Sequence, residues 1–308
     1  MAESAEILGT GKKNIKDKNA LSRSWSWLWD FTKRKPLGAV GLWITVAFIF
    51  LAVFAEYIIP WDPFEFHRRN PVDPPLTQHS SGTMFWFGTD QIGRDVFSRT
   101  LVGARVSMYV GLVTMLAAAG GGLLLGVSSA YIGGKFDLII QRFVDGIIAM
   151  PTLILAMALV AALGQSINNV ILAIAIVQIP RITRVIRSAA LSIKEVPYIE
   201  AARSIGASDW RVMLRHVAPN TMAPLLIVAS SAVGSIIITE STLSFLGLGV
   251  DPETLTWGAL VSGDARLHFA AAPWMLFGPG IAVTLVVFGT NMFGDALRDV
   301  LDPKLRGR

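Results

Sequence analysis

The chain contains no cysteine, and this absence removes two classes of site at once. Neither a disulfide bond nor a thiolate metal site can form without a thiol. Histidine is also scarce, since there are four among 308 residues, and their wide spacing along the chain does not predict a metal site. Charged side chains make up only 16% of the sequence. The lack of cysteine therefore gives no indication of the redox compartment.

Apolar residues take the place of the missing charges. They account for 53% of the chain, and the mean hydropathy of +0.54 is too high for an ordinary soluble domain. A bilayer core of about 30 Å needs about 20 apolar residues in a helix. Six stretches meet this requirement, at residues 37–59, 107–132, 136–163, 167–185, 223–248 and 274–297. We therefore predict an all-α membrane protein with six transmembrane helices.

The basic residues predict how these spans are oriented, because lysine and arginine near membrane ends are retained in the cytoplasm. Of the 27 basic residues, 21 fall on one side of the predicted spans and six on the other. The richer side includes both termini, which we expect to be cytoplasmic. The excess of positive charge then reflects topology and attraction to anionic lipid, and it does not indicate binding to nucleic acid.

This topology divides the chain into successive regions. Residues 1–36 form a cytoplasmic tail, in which the sequence WSWLWDFTKRKP predicts an interfacial helix on the membrane surface. The leader and the first apolar run are both longer than a cleaved signal peptide requires, so we expect that span to be retained. The remaining regions are the first span at 37–59, an external loop at 60–106, a five-helix core at 107–297 with a cytoplasmic loop at 186–222, and a cytoplasmic tail at 298–308.

Two features inside the predicted spans call for an explanation. Gly122 and Gly126 have the spacing that lets two helix backbones approach closely, which favours tight packing over a hinge. Glu240 lies within the fifth span without an obvious basic partner nearby, and an intramembrane carboxylate is costly enough to suggest a function. It could face a translocation cavity and attract a substrate amine, or bond a neighbouring subunit. Arg142 and Asp145 are close enough on one helix face to neutralise each other.

A polar stretch in the cytoplasmic loop, EAARSIGASDWRVMLRHVAPN at residues 200–220, predicts two short helices separated by a bend. Pro197 suits a first helical turn, and Gly206 supplies the left-handed residue that ends the first helix. Ser208 is a suitable N-cap for the second helix, which we expect Pro219 to end.

The side chains of this stretch suit a contact surface. Ala201 and Ala202 leave one surface small, while Trp210 and Met213 offer apolar contact beside Arg211 and Arg215. From the residues alone, a docking element for a cytoplasmic partner and an amphipathic helix resting on the membrane are both compatible with this pattern.

The pattern of Glu200, Ala201 and Ala202, then Gly206 and finally Pro219, resembles the EAA loop of permease subunits in bacterial ATP-binding-cassette (ABC) importers. Three further motifs resemble dipeptide and oligopeptide importer permeases. They are GTDQIGRDVFSR at 88–99 followed by GARVS, LSFLGLG at 243–249, and GDALRDVLDPKLRG at 294–307.

Charge in the motif at residues 88–99 alternates in sign. Asp90 with Arg94, and Asp95 with Arg99, stand four residues apart, as ion pairs on a helix do. We therefore expect an external helix here. Bracing the long external loop is favoured over direct contact with a binding protein.

The resemblance implies the type I importer permease fold and a location in the bacterial cytoplasmic (inner) membrane. It implies that this chain is half of a heterodimer with a second homologous permease, driven by two cytoplasmic ABC ATPase subunits and fed by an external solute-binding protein. The chain itself would be non-catalytic and hold no cofactor, with ATP and Mg²⁺ on the partners. The expected docking surface comprises Glu200, Ala201, Ala202, Gly206 and Trp210, with Asp209 and Arg211 as rim charges.

Several absences support this interpretation. No G-x-x-x-x-G-K-[ST] loop for ATP is present, and neither H-E-x-x-H nor G-x-S-x-G indicates a membrane enzyme. A stand-alone secondary transporter would carry more charge within its spans. The motifs favour di- and oligopeptides as the transported solute, whereas glutathione and nickel complexes are alternatives within the resembling group.

Overall fold

The computed structural model describes residues 32–33, 35–67, 71–251 and 253–301. The predicted interfacial helix around its three tryptophans, and the end of the C-terminal motif, lie outside the described residues. Within them the chain is mainly helical, with one small antiparallel strand pair. In chain order the long elements are α1 Pro36–Ile58, β1 Thr77–Gln78, β2 Met84–Phe85, α2 Val96–Ile132, α3 Gly134–Ile148, α4 Thr152–Leu163 and α5 Ile167–Lys194.

The second half of the chain continues with short helices on either side of one span. These are α6 Pro197–Ser204, α7 Asp209–Val212, a π-helical turn at Met213–Val217, and α8 Ala218–Asn220. They are followed by α9 Met222–Phe245, α10 Trp257–Leu260, α11 Gly263–Leu267 and α12 Trp274–Leu301.

Within the described ranges, five helices are long and apolar enough to cross a membrane: α1, α2, α5, α9 and α12. A sixth crossing requires α3 and α4 together, and these two helices meet at a bend of 94°. The prediction of one continuous span at 136–163 is therefore wrong. Pro151 gives the physical reason, because it lacks an amide proton and disfavours helical geometry in the residue before it.

The second span begins well before the predicted start at residue 107. Asp95 is the N-cap of α2, and its carboxylate accepts a hydrogen bond from the Ser98 amide at 2.8 Å. Arg99 and Arg105 interrupt the apolar run without interrupting the helix. The predicted external helix is correspondingly wrong for residues 88–94, which form turns and irregular backbone ahead of this cap.

Close packing of α2 against α5 organises the middle of the bundle. A Cβ placed on Gly122 would lie 2.6 Å from Cβ of Ile182, and one on Gly126 would lie 2.8 Å from Cβ of Ile186. Any larger residue would push the two helices apart. The tight packing predicted for this pair of glycines is confirmed.

The loop between α1 and α2 packs around a group of rings. Phe85 of β2 is fully buried, and the indole of Trp61 stacks on it with the ring centroids 5.2 Å apart. His67 and His79 contact the same two rings. This group holds the loop together and so fixes the residues that precede α2.

Candidate functional site

The bend in the loop between α5 and α9 forms as predicted. Pro197 occupies the first turn of α6, and Gly206 has a φ of +85°, in the left-handed region. The amide of Gly206 donates to the carbonyl of Arg203 at 2.9 Å, and the amide of Ala207 donates to that of Ala202 at 3.1 Å. These two hydrogen bonds make a Schellman motif, which satisfies the last carbonyls of α6 and turns the chain sharply.

The second helical piece includes a π-helical turn and ends close to Pro219, where the sequence predicts its end. Ser208 has the extended geometry of an N-cap, although its side chain makes no capping hydrogen bond. Beyond α7 the chain continues through the π-helical turn and α8 towards α9, with Pro219 in the first turn of α8. The helical run that starts at Asp209 ends at Asn220, one residue after the predicted end at Pro219.

The inner face of this segment is part of the hydrophobic core. Ile199, Val212 and Val217 are fully buried, and Met213 is 7% exposed. The prediction that Met213 offers apolar contact to a partner is therefore wrong. The residues that these side chains pack among come from α2 and α5 and include Ala118, Val127, Tyr131, Ile182, Ile186 and Ala190.

Tyr131, in the last turn of α2, connects that span to the bend. Its hydroxyl donates to Oδ1 of Asp209 at 2.7 Å and accepts from Nε of Arg203 at 3.1 Å. The guanidinium carbon of Arg203 lies 4.9 Å from the centroid of the Tyr131 ring, a cation–π arrangement. Lys194, at the end of α5, donates from Nζ to the carbonyl of Tyr131 at 2.8 Å. Two spans and both short helices therefore meet at one residue.

Sequence reasoning missed Tyr131 and treated Asp209 only as a charge at the rim of a docking surface. Asp209 is exposed, and it is also tied inward by the tyrosine hydroxyl. The available signal was the position of Tyr131 at the end of an apolar span, because tyrosine is typical of membrane interfaces. Its partner lies 78 residues away, and no local pattern indicates it.

The outer face of the segment is exposed and partly apolar. Ile205 is 87% exposed and Trp210 is 64% exposed, one on each side of Gly206. The other predicted docking residues lie on this surface too, because Glu200, Ala201 and Arg211 are exposed and Ala202 is half-buried. Ile205 was missed, although an isoleucine beside a bend glycine in a polar stretch is a visible signal. Two large exposed apolar side chains in an otherwise polar stretch suit a protein contact.

Two ion pairs hold α3 against α5 near this site. Asp137 pairs with Arg187, and Oδ1 of Asp145 lies 2.5 Å from Nη2 of Arg184. The prediction that Asp145 is neutralised by Arg142 on its own helix is wrong, because Asp145 pairs across the helix interface. These pairs connect α3 to α5, from which the loop begins.

Glu240 lies far from this segment in a closed polar network. Its carboxylate is fully buried and accepts hydrogen bonds from the hydroxyls of Ser107 at 3.3 Å and Ser244 at 2.9 Å. The Ser107 hydroxyl also accepts from the amide of Trp257 at 3.2 Å. Glu240 therefore connects α2, α9 and α10 within its own chain. Its role in a translocation pathway stays a prediction.

Comparison with known families supplies the decisive observation. The family described as binding-protein-dependent transport system inner membrane component matches residues 122–307, which include the bend, its inner face and Tyr131. The chain belongs to this family. A second family, the N-terminal transmembrane domain of oligopeptide transport permease C, matches residues 25–75 of the permease.

Curated relatives match the permease over most of its length. The dipeptide transport system permease protein DppC of Alkalihalophilus pseudofirmus is 39% identical over 89% of this chain and 88% of its own. The glutathione transport system permease protein GsiD of Escherichia coli is 40% identical over 92% of this chain and 91% of its own. A probable D,D-dipeptide transport system permease protein of Escherichia coli, DdpC, is 40% identical over 90% of both chains.

This membership establishes the general role. The protein is a multi-pass permease of the bacterial inner membrane and a component of an ABC transport system. Importers of this class work with ATPase subunits, and the description of the family states the dependence on a binding protein. Transport, and not chemical conversion of a substrate, is the activity of the family.

Proposed function

We propose that the permease forms one half of the translocation pathway of an ATP-driven importer and couples that pathway to the ATPases through residues 197–220. The complex would contain this chain, a second homologous permease, two cytoplasmic ATPase subunits and an external solute-binding protein. The observation that carries the proposal is the two-sided character of the segment. Its inner face is built into the core of α2 and α5, while Ile205 and Trp210 project from its outer face.

The contacts at Tyr131 make this segment a mechanical connection. A displacement of the outer face is passed to α2 through Tyr131 and Asp209, and to α5 through the shared core. Closure of the ATPases around ATP would pull the docked segments together and tilt these spans between inward-open and outward-open packings. ATP and Mg²⁺ are bound by the ATPase subunits in this scheme, and the permease contributes no catalytic group or cofactor.

The scheme requires the segment and both termini to be cytoplasmic, and single cysteines test this directly. Because the natural chain has no cysteine, a cysteine at Trp210 or at Ser262 would be the only reactive thiol in the permease. A membrane-impermeant maleimide applied to spheroplasts should label Ser262→Cys and not Trp210→Cys. The reverse pattern would contradict the proposed orientation.

Dependence on partners tests the transport function. The permease reconstituted alone in liposomes should be inert, whereas the full complex with binding protein should import solute only when ATP is present. Uptake by the isolated chain along an ion gradient would instead indicate a secondary transporter.

We further propose that the solute is a di- or oligopeptide. The motifs at residues 88–99 and 243–249, and the dipeptide permeases among the relatives, support this assignment. Glutathione is the second candidate because a permease named for it is equally similar. A strain lacking this chain should lose uptake of labelled peptides. Normal uptake of every di- and oligopeptide, with loss of glutathione or nickel uptake, would contradict the peptide assignment.

A further inference from the structure

The charged residues of the motif at 88–99 have two different structural roles. Asp95 is directed inward, where Oδ2 accepts hydrogen bonds from the amide of Ser98 at 2.8 Å and from its hydroxyl at 2.6 Å. Arg99 donates from Nη1 to the carbonyl of Pro63 at 2.9 Å and is buried. The predicted ion pair between Asp95 and Arg99 is wrong for this reason. These two residues brace the loop against the start of α2.

Asp90 and Arg94 form the predicted pair, but only the carboxylate is fully engaged. Oδ1 of Asp90 accepts from the backbone amides of Ile92 at 3.0 Å and Arg94 at 2.9 Å, and Oδ2 accepts from Nε of Arg94 at 2.6 Å. A guanidinium has five N–H donors. Arg94 uses one of them here, so the four on its two terminal nitrogens have no hydrogen-bond acceptor in the part of the chain that the structure describes.

Arg94 borders a recess of about 420 Å³ between the start of α2, the α10–α11 region and the start of α12. Asp90 and Arg99 also line it, together with Leu260, Ser262 and Met275. Its described lining thus contains two guanidinium groups and a single carboxylate. The electrostatic excess is positive, and the unused donors of Arg94 belong to this lining.

An apolar depression adjoins this recess. It is lined by Phe66, Pro71, Gln91 and Ile92, and Gln91 borders both hollows. Phe66 is 57% exposed and Ile92 is 40% exposed. The ring of Phe66 lies 5.9 Å from the guanidinium carbon of Arg94, so the aromatic side chain also helps to orient the arginine. The surface therefore combines a site for an anion with an apolar area beside it.

We propose that Arg94 is the socket for a carboxylate side chain of the external solute-binding protein, and that the depression at Phe66 and Ile92 receives an apolar residue next to that carboxylate. A planar guanidinium with free terminal donors is suited to bidentate binding of a carboxylate. The adjoining apolar area favours a protein over a free solute. The inference rests on the proposed function in one respect, because the recess must face outward.

The affinity of the binding protein for the assembled importer in nanodiscs tests this assignment. Arg94→Gln should raise the Kd by about tenfold at low salt, and the difference should shrink as ionic strength rises. The Kd of Arg94→Lys should lie between those of the wild type and Arg94→Gln, because a lysine keeps the charge and loses the planar guanidinium. ATP hydrolysis at saturating binding protein should be unchanged. Arg105→Gln is the matched control, since Arg105 pairs with Glu56 of α1 and does not line the recess.

A second variant protects the test against a local folding defect in Arg94→Gln. Ser262 lines the recess and is half-buried, so Ser262→Glu would place a competing carboxylate near an intact Arg94. It should weaken binding of the binding protein to a similar degree. Unchanged affinity in both Arg94→Gln and Ser262→Glu would overturn the proposal.

The transported solute could also supply the carboxylate, and its uptake separates the two cases. If affinity is unchanged but Arg94→Gln slows uptake of peptides with a free C-terminal carboxylate and not of amidated ones, the socket belongs to the solute and the proposal fails.

The accessibility of residue 94 separates this inference from the proposed orientation. An Arg94→Cys thiol should react with impermeant maleimide in spheroplasts and be protected by the binding protein. Labelling only after the membrane is opened would overturn the proposed orientation together with this inference. External labelling with unchanged affinity would overturn this inference alone.

Discussion

The hydroxyl of Tyr131 donates to Oδ1 of Asp209 at 2.7 Å, and it joins the last turn of a membrane span to the bend between two short helices. Arg203, from the other helix of the bend, donates to the hydroxyl oxygen of Tyr131. This side chain therefore holds the segment at a fixed angle to α2. The proposed coupling depends on that rigidity, because a loosely attached segment would not transmit a displacement to the spans.

Removal of this hydroxyl tests the connection. In Tyr131→Phe the carboxylate of Asp209 and Nε of Arg203 both lose a partner, which costs on the order of 1 kcal/mol for such a hydrogen bond. We expect ATP-driven uptake to fall roughly fivefold for that loss, while the complex still assembles and hydrolyses ATP. Tyr109→Phe is the control, since Tyr109 is half-exposed on the same helix. Equal uptake by both variants would argue against a role for the hydroxyl.

The bend itself is tested at Gly206. A Cβ there would meet nothing within 4 Å, so Gly206→Val acts through the left-handed backbone alone, at a cost of more than about 1 kcal/mol. We expect normal membrane insertion and a loss of ATP-driven uptake. Gly247 is a matched control, because its φ of +77° is similar and its Cβ position is also open. If Gly247→Val reduced the coupling of hydrolysis to uptake as strongly, the effect would not be specific to residues 197–220.

Trp210 and Met213 separate docking from folding. Trp210 is 64% exposed and Met213 is 7% exposed, although they are only three residues apart. Trp210→Ala should weaken association with the ATPases and leave the melting temperature of the permease unchanged. Met213→Ala should lower the free energy of unfolding by about 2 to 5 kcal/mol, as for other buried methionines, and so lower the melting temperature. A reversed pattern in pull-down and thermal-shift measurements would place the contact surface elsewhere.

The packing of α2 against α5 is tested at two glycines close together on α2. Gly122→Leu should disrupt the bundle, because a Cβ at that position already lies 2.6 Å from Cβ of Ile182. Gly120→Leu should be tolerated, since a Cβ there meets no atom within 4 Å. The melting temperature of each variant in detergent measures this difference. Similar stability of the two variants would contradict the close approach of these helices.

Glu240 is tested by comparing an isosteric change with an apolar one. Its carboxylate accepts hydrogen bonds from serine hydroxyls, and the amide oxygen of Glu240→Gln can keep part of that network. Glu240→Leu leaves the hydroxyls without an acceptor and should lower stability by about 1 to 3 kcal/mol. We expect Glu240→Gln to affect uptake of cationic and neutral peptides equally. Selective loss of cationic peptides would support contact between the carboxylate and the solute.

Much of the architecture could be predicted from the sequence because the bilayer imposes strong rules. Apolar length locates the spans, and Gly122 and Gly126 indicate where helices approach. The same rule fails at Pro151, where apolar composition continues through a sharp bend. It fails again at Arg99, where charge begins while the helix is already under way.

In residues 197–220, too, local features could be predicted from the sequence and tertiary contacts could not. Gly206 could be predicted because a left-handed residue at the end of a helix has a local signature. The burial of Met213 could not, because it results from tertiary packing against α2 and α5, which no local pattern indicates. Nor could the bond between Tyr131 and Asp209, which joins distant parts of the chain.

Affinity purification of this permease from its native membrane in mild detergent, alongside Gly206→Val and Gly247→Val, tests the coupling account most directly. We predict that an ATPase pair and a second permease co-purify with the wild type and with Gly247→Val, and are reduced with Gly206→Val. A wild-type chain that purifies alone, or one that retains the ATPases equally in all three forms, would contradict the account.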